Sequence, residues 1–157
     1  MQFLAVLAVL PAALAGITTS LSYDPVYSNP STRTLSLACS DGDNGLHTKG
    51  FATLGAVPKF PMVAAAPDIA GNSTPPRGPN PHMLISFSGW NSANCGTCYK
   101  LYYKGTGKSV YVTGVDVGHG GFVGSQQVVD TLTNNRAVEV GRISVDYAKV
   151  ASNLCGF

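Results

Sequence analysis

Tyr99–Tyr103 reads YKLYY and Ser109–Val117 reads SVYVTGVDV, joined by KGTGK over Lys104–Lys108. Both runs are rich in Tyr and Val, alternate with a period of two, and flank a glycine-bearing joint, which predicts a β-hairpin. Toward the C-terminus, Ser125–Thr133 (SQQVVDTLT) puts Val128, Val129 and Leu132 at helical spacing behind Ser125 as N-cap. Ala137–Val140 and Arg142–Tyr147 alternate as strands. Toward the N-terminus, Leu21–Tyr27 (LSYDPVY) is a short strand entering a turn at Pro25, and Leu35–Cys39 (LSLAC) is a second strand. Asp41–Gly45 (DGDNG) is a turn cluster, and Gly50–Phe60 holds a short helix ended by Pro58. With 18 Gly and 10 Pro in 157 residues, the pattern is mostly β with one or two short helices. It predicts a small closed or partly closed barrel in a single domain.

Charged residues make up 11% of the chain and the net charge is +2, with no Lys/Arg run. A concentrated basic patch is what a nucleic acid or anionic membrane requires, so the composition argues against both partners. Met1–Ala15 (MQFLAVLAVLPAALA) has no charged side chain, an apolar run and small residues at Ala13 and Ala15. It reads as a secretory signal peptide cut after Ala15 or a few residues later, and it is too short to span a bilayer. No second long apolar run follows, so the mature 16–157 chain is expected to be soluble and extracellular.

Secretion sets the reading of the four cysteines, Cys39, Cys95, Cys98 and Cys155. An even number in an exported chain implies two disulfides, with three connectivities open. The Cys95-Gly-Thr-Cys98 spacing would suggest redox chemistry only inside a βαβ pattern, which is lacking. His47, His82 and His119 stand apart without ligand spacing, so no metal or other cofactor is implied.

One segment does not match its surroundings. Asn72–Gly89 holds four of the ten prolines and the sole N-x-[ST] sequon, Asn72-Ser73-Thr74. It reads as an extended surface insertion.

Four stretches resemble the cerato-platanin family of small secreted fungal proteins: SYDPVY (Ser22–Tyr27), ACSDGDNGL (Ala38–Leu46), GWNSANCGTC (Gly89–Cys98) and GVDVGHGGF (Gly114–Phe122). TLGAVPKFP (Thr53–Pro61), PDIAG (Pro67–Gly71) and Cys155 add to the resemblance. It implies a six-stranded double-ψ β-barrel related to expansins, with disulfides Cys39–Cys95 and Cys98–Cys155. It also implies binding of chitin or N-acetylglucosamine oligomers, loosening of wall polysaccharide without hydrolysis, and recognition by plants as an elicitor through a receptor. A monomer that self-assembles at air–water interfaces belongs to the same implication. The chain departs from the family twice. Relatives run from PDIAG straight into WNS, so the 18 residues Asn72–Gly89 read as an insertion or an unspliced intron. Val123 stands where relatives often carry Asn.

A neutral polysaccharide presents hydroxyls at its edges and C–H faces above and below, so its site needs aromatic platforms and few full charges. Asp116 is the leading candidate, with Gly114, Gly118, Gly120 and Gly121 leaving room for close approach of a sugar chain. The alternative is an Asp that accepts backbone N–H groups locally. Tyr23, Asp24, Asn44, Phe122 and Trp90 complete the candidate binding set, although Asp24 before Pro25 also suits a turn cap and Trp90 suits core packing beside Cys95. His119 reads as an exposed loop residue, and Tyr99 as core or barrel rim. No catalytic residue is assigned. A weak glycoside hydrolase or lytic transglycosylase acting through Asp116 is the competing function, with Asp24 as the second carboxylate; inverting hydrolysis needs such a pair about 6.5–9.5 Å apart.

Overall fold

The computed structural model describes residues 16–69 and 89–157. Segment 1–15, read above as a signal peptide, and residues 70–88, which include most of the segment read as an insertion, lie outside the described residues. Six strands are present: β1 (Ile17–Tyr23), β2 (Val63–Ala66), β3 (Cys98–Tyr103), β4 (Lys108–Val117), β5 (Gly121–Gly124) and β6 (Arg142–Val150). They close into a barrel in the order β1-β5-β2-β4-β3-β6. Pairs β1–β5 and β2–β4 are parallel and the other four are antiparallel. The β3–β4 hairpin read from the sequence is present, with Tyr99 opposite Val112 and Leu101 opposite Val110.

Alternation along these strands fills the barrel. Leu21, Val63, Leu101, Val112 and Phe122 are buried, and Leu21 lies in register with Phe122 across the parallel β1–β5 pair. Tyr99, Phe122 and Tyr147 form the aromatic centre, with ring centroids 5.3 Å apart for Tyr99–Phe122 and 5.0 Å for Phe122–Tyr147, both edge to face. Helix α1 (Gln126–Thr133) buries Val128, Val129 and Leu132, and its N-cap Ser125 accepts a hydrogen bond from the Val128 amide, as its sequence predicts.

Several expected elements differ. Leu35–Cys39 is not a strand: a 3-10 turn covers Thr34–Ser36, the Leu37 amide donates to the Thr34 carbonyl, and the Ala38 amide donates to a side chain. Its alternating pattern buries Leu37 and Cys39 without a partner strand. The helix expected within Gly50–Phe60 is a 3-10 turn over Leu54–Ala56. Ala137–Val140 is a one-turn helix, α2, because the left-handed Asn134 and Asn135 turn the chain back beside α1 and Asp130 Oδ1 accepts the Ala137 amide. Strands β2 (VAAA) and β5 (GFVG) had no readable alternation, since both are short and almost wholly buried.

Both disulfides join distant segments, Cys39–Cys95 across 56 residues and Cys98–Cys155 across 57. They are the pairing that the family resemblance implied. The C-x-x-C does not close on itself: Cys95 holds the 37–46 loops to the barrel, and Cys98 at the start of β3 holds the C-terminal 3-10 turn Ser152–Cys155.

Candidate carbohydrate-binding site

Asp116 lies one residue from the end of β4, where the β2–β4 register slips: Ala64 faces Gly114 but Ala65 faces Asp116, so Val115 is an extra residue. An unbroken β4 would put Asp116 on the core side with Val112 and Gly114; the bulge takes it out of that register. Its carboxylate then meets three donors. Oδ1 accepts the Ala38 amide at 2.8 Å and the Val117 amide at 2.8 Å, and Oδ2 accepts the Tyr27 hydroxyl at 2.9 Å. Asp116 is half-buried, and beyond these three donors its Oδ2 keeps one acceptor position.

Tyr27 comes from the 3-10 turn Pro25–Ser28, whose N-cap is Asp24. Asp24 Oδ1 accepts the Val26 amide at 2.8 Å, the Asp24 amide donates to the Gly124 carbonyl at 3.0 Å, and the Gln126 amide donates to Ser28 Oγ at 3.0 Å. The turn is thus fixed to β5 and α1. Tyr27 is only 7% exposed. Burial, and then the negative charge of Asp116, push its hydroxyl ionisation well above the ordinary tyrosine range, with Asp24 adding in the same direction.

Small groups surround the carboxylate. A Cβ on Gly89 would come within 2.6 Å of the Ile69 carbonyl, 3.0 Å of Val117 Cβ and 3.2 Å of Ala38 Cβ, so Gly89 is packed where these residues converge and only glycine fits there. Trp90 follows. It is half-buried, and its indole N–H donates to Asp41 Oδ1 at 2.7 Å, a bond that holds the Asp41 carboxyl below the usual carboxylate range. Asn91, with φ 52°, accepts the Asn44 amide on Oδ1 at 2.9 Å, and Asn44 Nδ2 donates to the Asn91 carbonyl at 3.1 Å. The candidate strip comprises the half-buried Asp116, Ala38 and Val117 and the half-buried, Asp41-pinned indole of Trp90, with buried Gly89 in contact with Ala38 and Val117.

Of the sequence-derived site residues, Asp116 and Trp90 lie on this strip and Asn44 supports its rim. Asp24 is exposed and acts as the turn cap, and Tyr23 is half-buried against the core. Two assignments are corrected. Phe122 is 1% exposed in the aromatic centre, because strand alternation on β5 turns it inward. Gly118 is buried: its amide donates to the Ala66 carbonyl at 2.9 Å, and a Cβ there would collide with the Gly121 carbonyl, so its missing side chain admits barrel backbone and no ligand. Gly120 stays exposed at the turn with φ 81° and open space about it. His119 is exposed, Tyr99 is core, and Val123 is half-buried on β5.

Tyr27 and the Ala38 amide escaped the sequence reading. The pattern Asp24-Pro25-Val26-Tyr27 carries a signal for the first, since a 3-10 turn brings positions three apart onto one side. Nothing local marks the second. Among the described residues, no group of three or more His, Cys, Asp or Glu gathers as a metal site, and no helix is long and apolar enough to cross a membrane.

The family model described as Cerato-platanin matches residues 19–84 and 82–157. The chain belongs to the cerato-platanin family. It is 42% identical over 139 residues to the heat-stable 19 kDa antigen of Coccidioides immitis (strain RS), covering 88% of this chain and 82% of that one. Cerato-platanin 3 from M. perniciosa has a crystal structure similar to this chain, with a TM-score of 0.75 and 40% identity over 90% of this chain and all (100%) of that one. The solution structure of the fungal elicitor cerato-platanin matches with a TM-score of 0.68 and 37% identity, covering 87% and 95%. The barrel is shared more widely: a mutant Clavibacter michiganensis expansin, crystallised in complex with cellohexaose, matches at a TM-score of 0.50 and 19% identity, over 86% of this chain and 51% of that one.

Proposed function

We propose that this cerato-platanin is a secreted, non-catalytic protein that binds neutral wall polysaccharide, of the chitin or N-acetylglucosamine class, and loosens it without cleavage. The observation that carries the reading is the strip itself: a carboxylate held as an acceptor by three donors, small and backbone groups beside it, and an indole fixed by Asp41. A sugar chain can stack a C–H face on Trp90 and donate an N–H or O–H to Asp116. The bond pattern of Asp116 suits acceptance rather than proton donation, which supports binding over acid catalysis. The cellohexaose in the expansin structure belongs to that protein and supports only the general idea of a polysaccharide along a barrel of this kind.

The competing reading is a weak glycosidase or lytic transglycosylase with Asp116 and Asp24 as its carboxylates. One observation favours it: the Tyr27 hydroxyl donates to Asp116, and Asp24 caps the turn that carries Tyr27. Against it, Asp24 is committed to capping Val26. Calorimetric titration with chitin and glucan tetramers, followed by an assay for new reducing ends, separates the two. Binding without product, weakened about tenfold or more in Asp116→Asn, supports the binder, since a hydrogen bond to a charged group contributes about 1.5–3 kcal/mol. Product that disappears in Asp116→Asn supports the enzyme.

Export through segment 1–15, residence free or in the wall, action as an elicitor through a plant receptor, a monomeric state and assembly at interfaces extend the same proposal. The family match comes in two parts, 19–84 and 82–157, that overlap inside this segment, and that break supports reading 72–89 as an insertion or unspliced intron in an otherwise single domain.

A further inference from the structure

Asp116 is bound by its surroundings in an uneven way. A carboxylate offers about four lone-pair positions. Both on Oδ1 face backbone amides, those of Ala38 and Val117, whose positions are set by the loop tied through Cys39–Cys95 and by β4 itself. On Oδ2 one position is taken by Tyr27 and one is left. Without the Tyr27 hydroxyl, Oδ2 would have two free positions and nothing to fix which of them a ligand meets.

We propose that Tyr27 is the positioning residue of the carbohydrate site: its hydroxyl occupies one acceptor position of Asp116 Oδ2 and leaves a single, fixed one for one N–H or O–H of the sugar. This rests on the polysaccharide-binding reading given above. Tyr27 touches no ligand in this arrangement and acts through Asp116. The site consequently accepts one ligand donor at a defined angle, and offers no donor of its own at that point to a ligand carboxylate.

The turn that carries Tyr27 is suited to the role. It is anchored through the Asp24 amide to Gly124, through Ser28 Oγ to the Gln126 amide, and through the Val26 carbonyl to Thr32 Oγ1 at 2.8 Å. These anchors do not pass through Asp116, so Tyr27→Phe leaves the turn in place and removes only the one bond.

The test is a double-mutant cycle on the affinity for chitin tetramer, measured by calorimetry with wild type, Tyr27→Phe, Asp116→Asn and the double variant. In Asp116→Asn the amide oxygen keeps both backbone donors and Nδ2 donates to Tyr27 Oη, so the fold is retained. The expected result is about tenfold weaker binding in Tyr27→Phe, and less than twofold further change when the same substitution is made in Asp116→Asn. A merely structural role gives equal losses in both backgrounds and overturns the proposal, as does wild-type affinity in Tyr27→Phe. Should Tyr27→Phe fail to fold, carboxyl carbon NMR of the wild type decides: the Asp116 resonance and the Tyr27 hydroxyl proton shifting together on addition of tetramer supports the role, and a shift of neither overturns it. Failure of wild type to bind the tetramer removes the polysaccharide reading and this proposal together, an outcome distinct from binding that ignores Tyr27.

Discussion

Asp116 joins three segments far apart in sequence: β4, the turn at Tyr27 and the loop at Ala38. Asp116→Ala therefore orphans one hydroxyl and two amides, and the expected loss is about 2–4 kcal/mol of unfolding free energy, read from urea denaturation. From the sequence alone, an aspartate among glycines predicts near-unchanged stability for the same substitution; the three donors reverse that expectation. Asp116→Asn keeps its acceptor for the amides and is expected to lose less than half as much. The tyrosines add a pH dependence. Burial first, and then nearby aspartates, raise the ionisation of Tyr27, Tyr99 and Tyr147 in the folded state. The unfolded chain then releases these protons at lower pH than the folded one does. Stability is complete below the ordinary tyrosine value of about 10 and falls as pH rises beyond it. Alkaline unfolding followed by tyrosinate absorbance should show this fall, and Tyr27→Phe should make it shallower; equal slopes in the two proteins would count against a raised Tyr27 ionisation.

The elements differ in how far their own residues explain them. The β3–β4 hairpin and α1 follow from alternation, a glycine-bearing turn and an N-cap serine. Strands β2 and β5 exist because their neighbours need them: Ala64, Ala65 and Ala66 are small enough to lie between β4 and β5 with no exposed side. Gly118 belongs to the same packing, and Gly118→Ala is expected to cost about 3 kcal/mol or more, or to prevent folding, as judged by the melting temperature. The ends of the proposed insertion carry a contrasting prediction. Ile69 and Gly89 are in contact distance, so the single residue Ala70 and one glycine can bridge from Ile69 to Trp90. Deleting Asn72–Gly89 leaves Gly71 to take the place of Gly89, whose φ of 84° suits glycine. The shortened protein is expected to melt within a few degrees of the full chain, and transcripts lacking these codons are expected from the gene. A deletion variant that does not fold would show that the segment is part of the domain.

At the scale of the molecule, the barrel needs its covalent links because much of the chain outside the strands is turn. Each disulfide closes a loop of more than 50 residues, which on the chain-entropy account stabilises the fold by about 4 kcal/mol. Replacing the pair Cys39 and Cys95 with Ser is expected to free the loop that supplies the Ala38 amide, and so to weaken oligomer binding as well as lower the melting temperature. Replacing Cys98 and Cys155 should lower the melting temperature by a similar amount while leaving affinity closer to wild type, because that bond ties the C-terminal turn. Equal losses of affinity from the two pairs would mean that the binding surface depends on the whole barrel and not on the Ala38 loop.

The β character of the chain, its hairpin, its capped helix and its oxidised cysteines were legible along the chain, because alternation, capping and cysteine parity are local or compositional properties. The sequence also marked Asp116 as the leading candidate, with Trp90 suited equally to core packing and to a sugar platform. Contacts across the closed barrel place Phe122 and Gly118 in the core, leave Leu35–Cys39 without a partner strand, and bring the Tyr27 hydroxyl and the Ala38 amide to Asp116. Those outcomes depend on which backbone donors and which ring faces meet across the closed barrel, through contacts between residues as far apart as 27 and 116. Closure of six strands sets such meetings, and no window of neighbouring residues contains them.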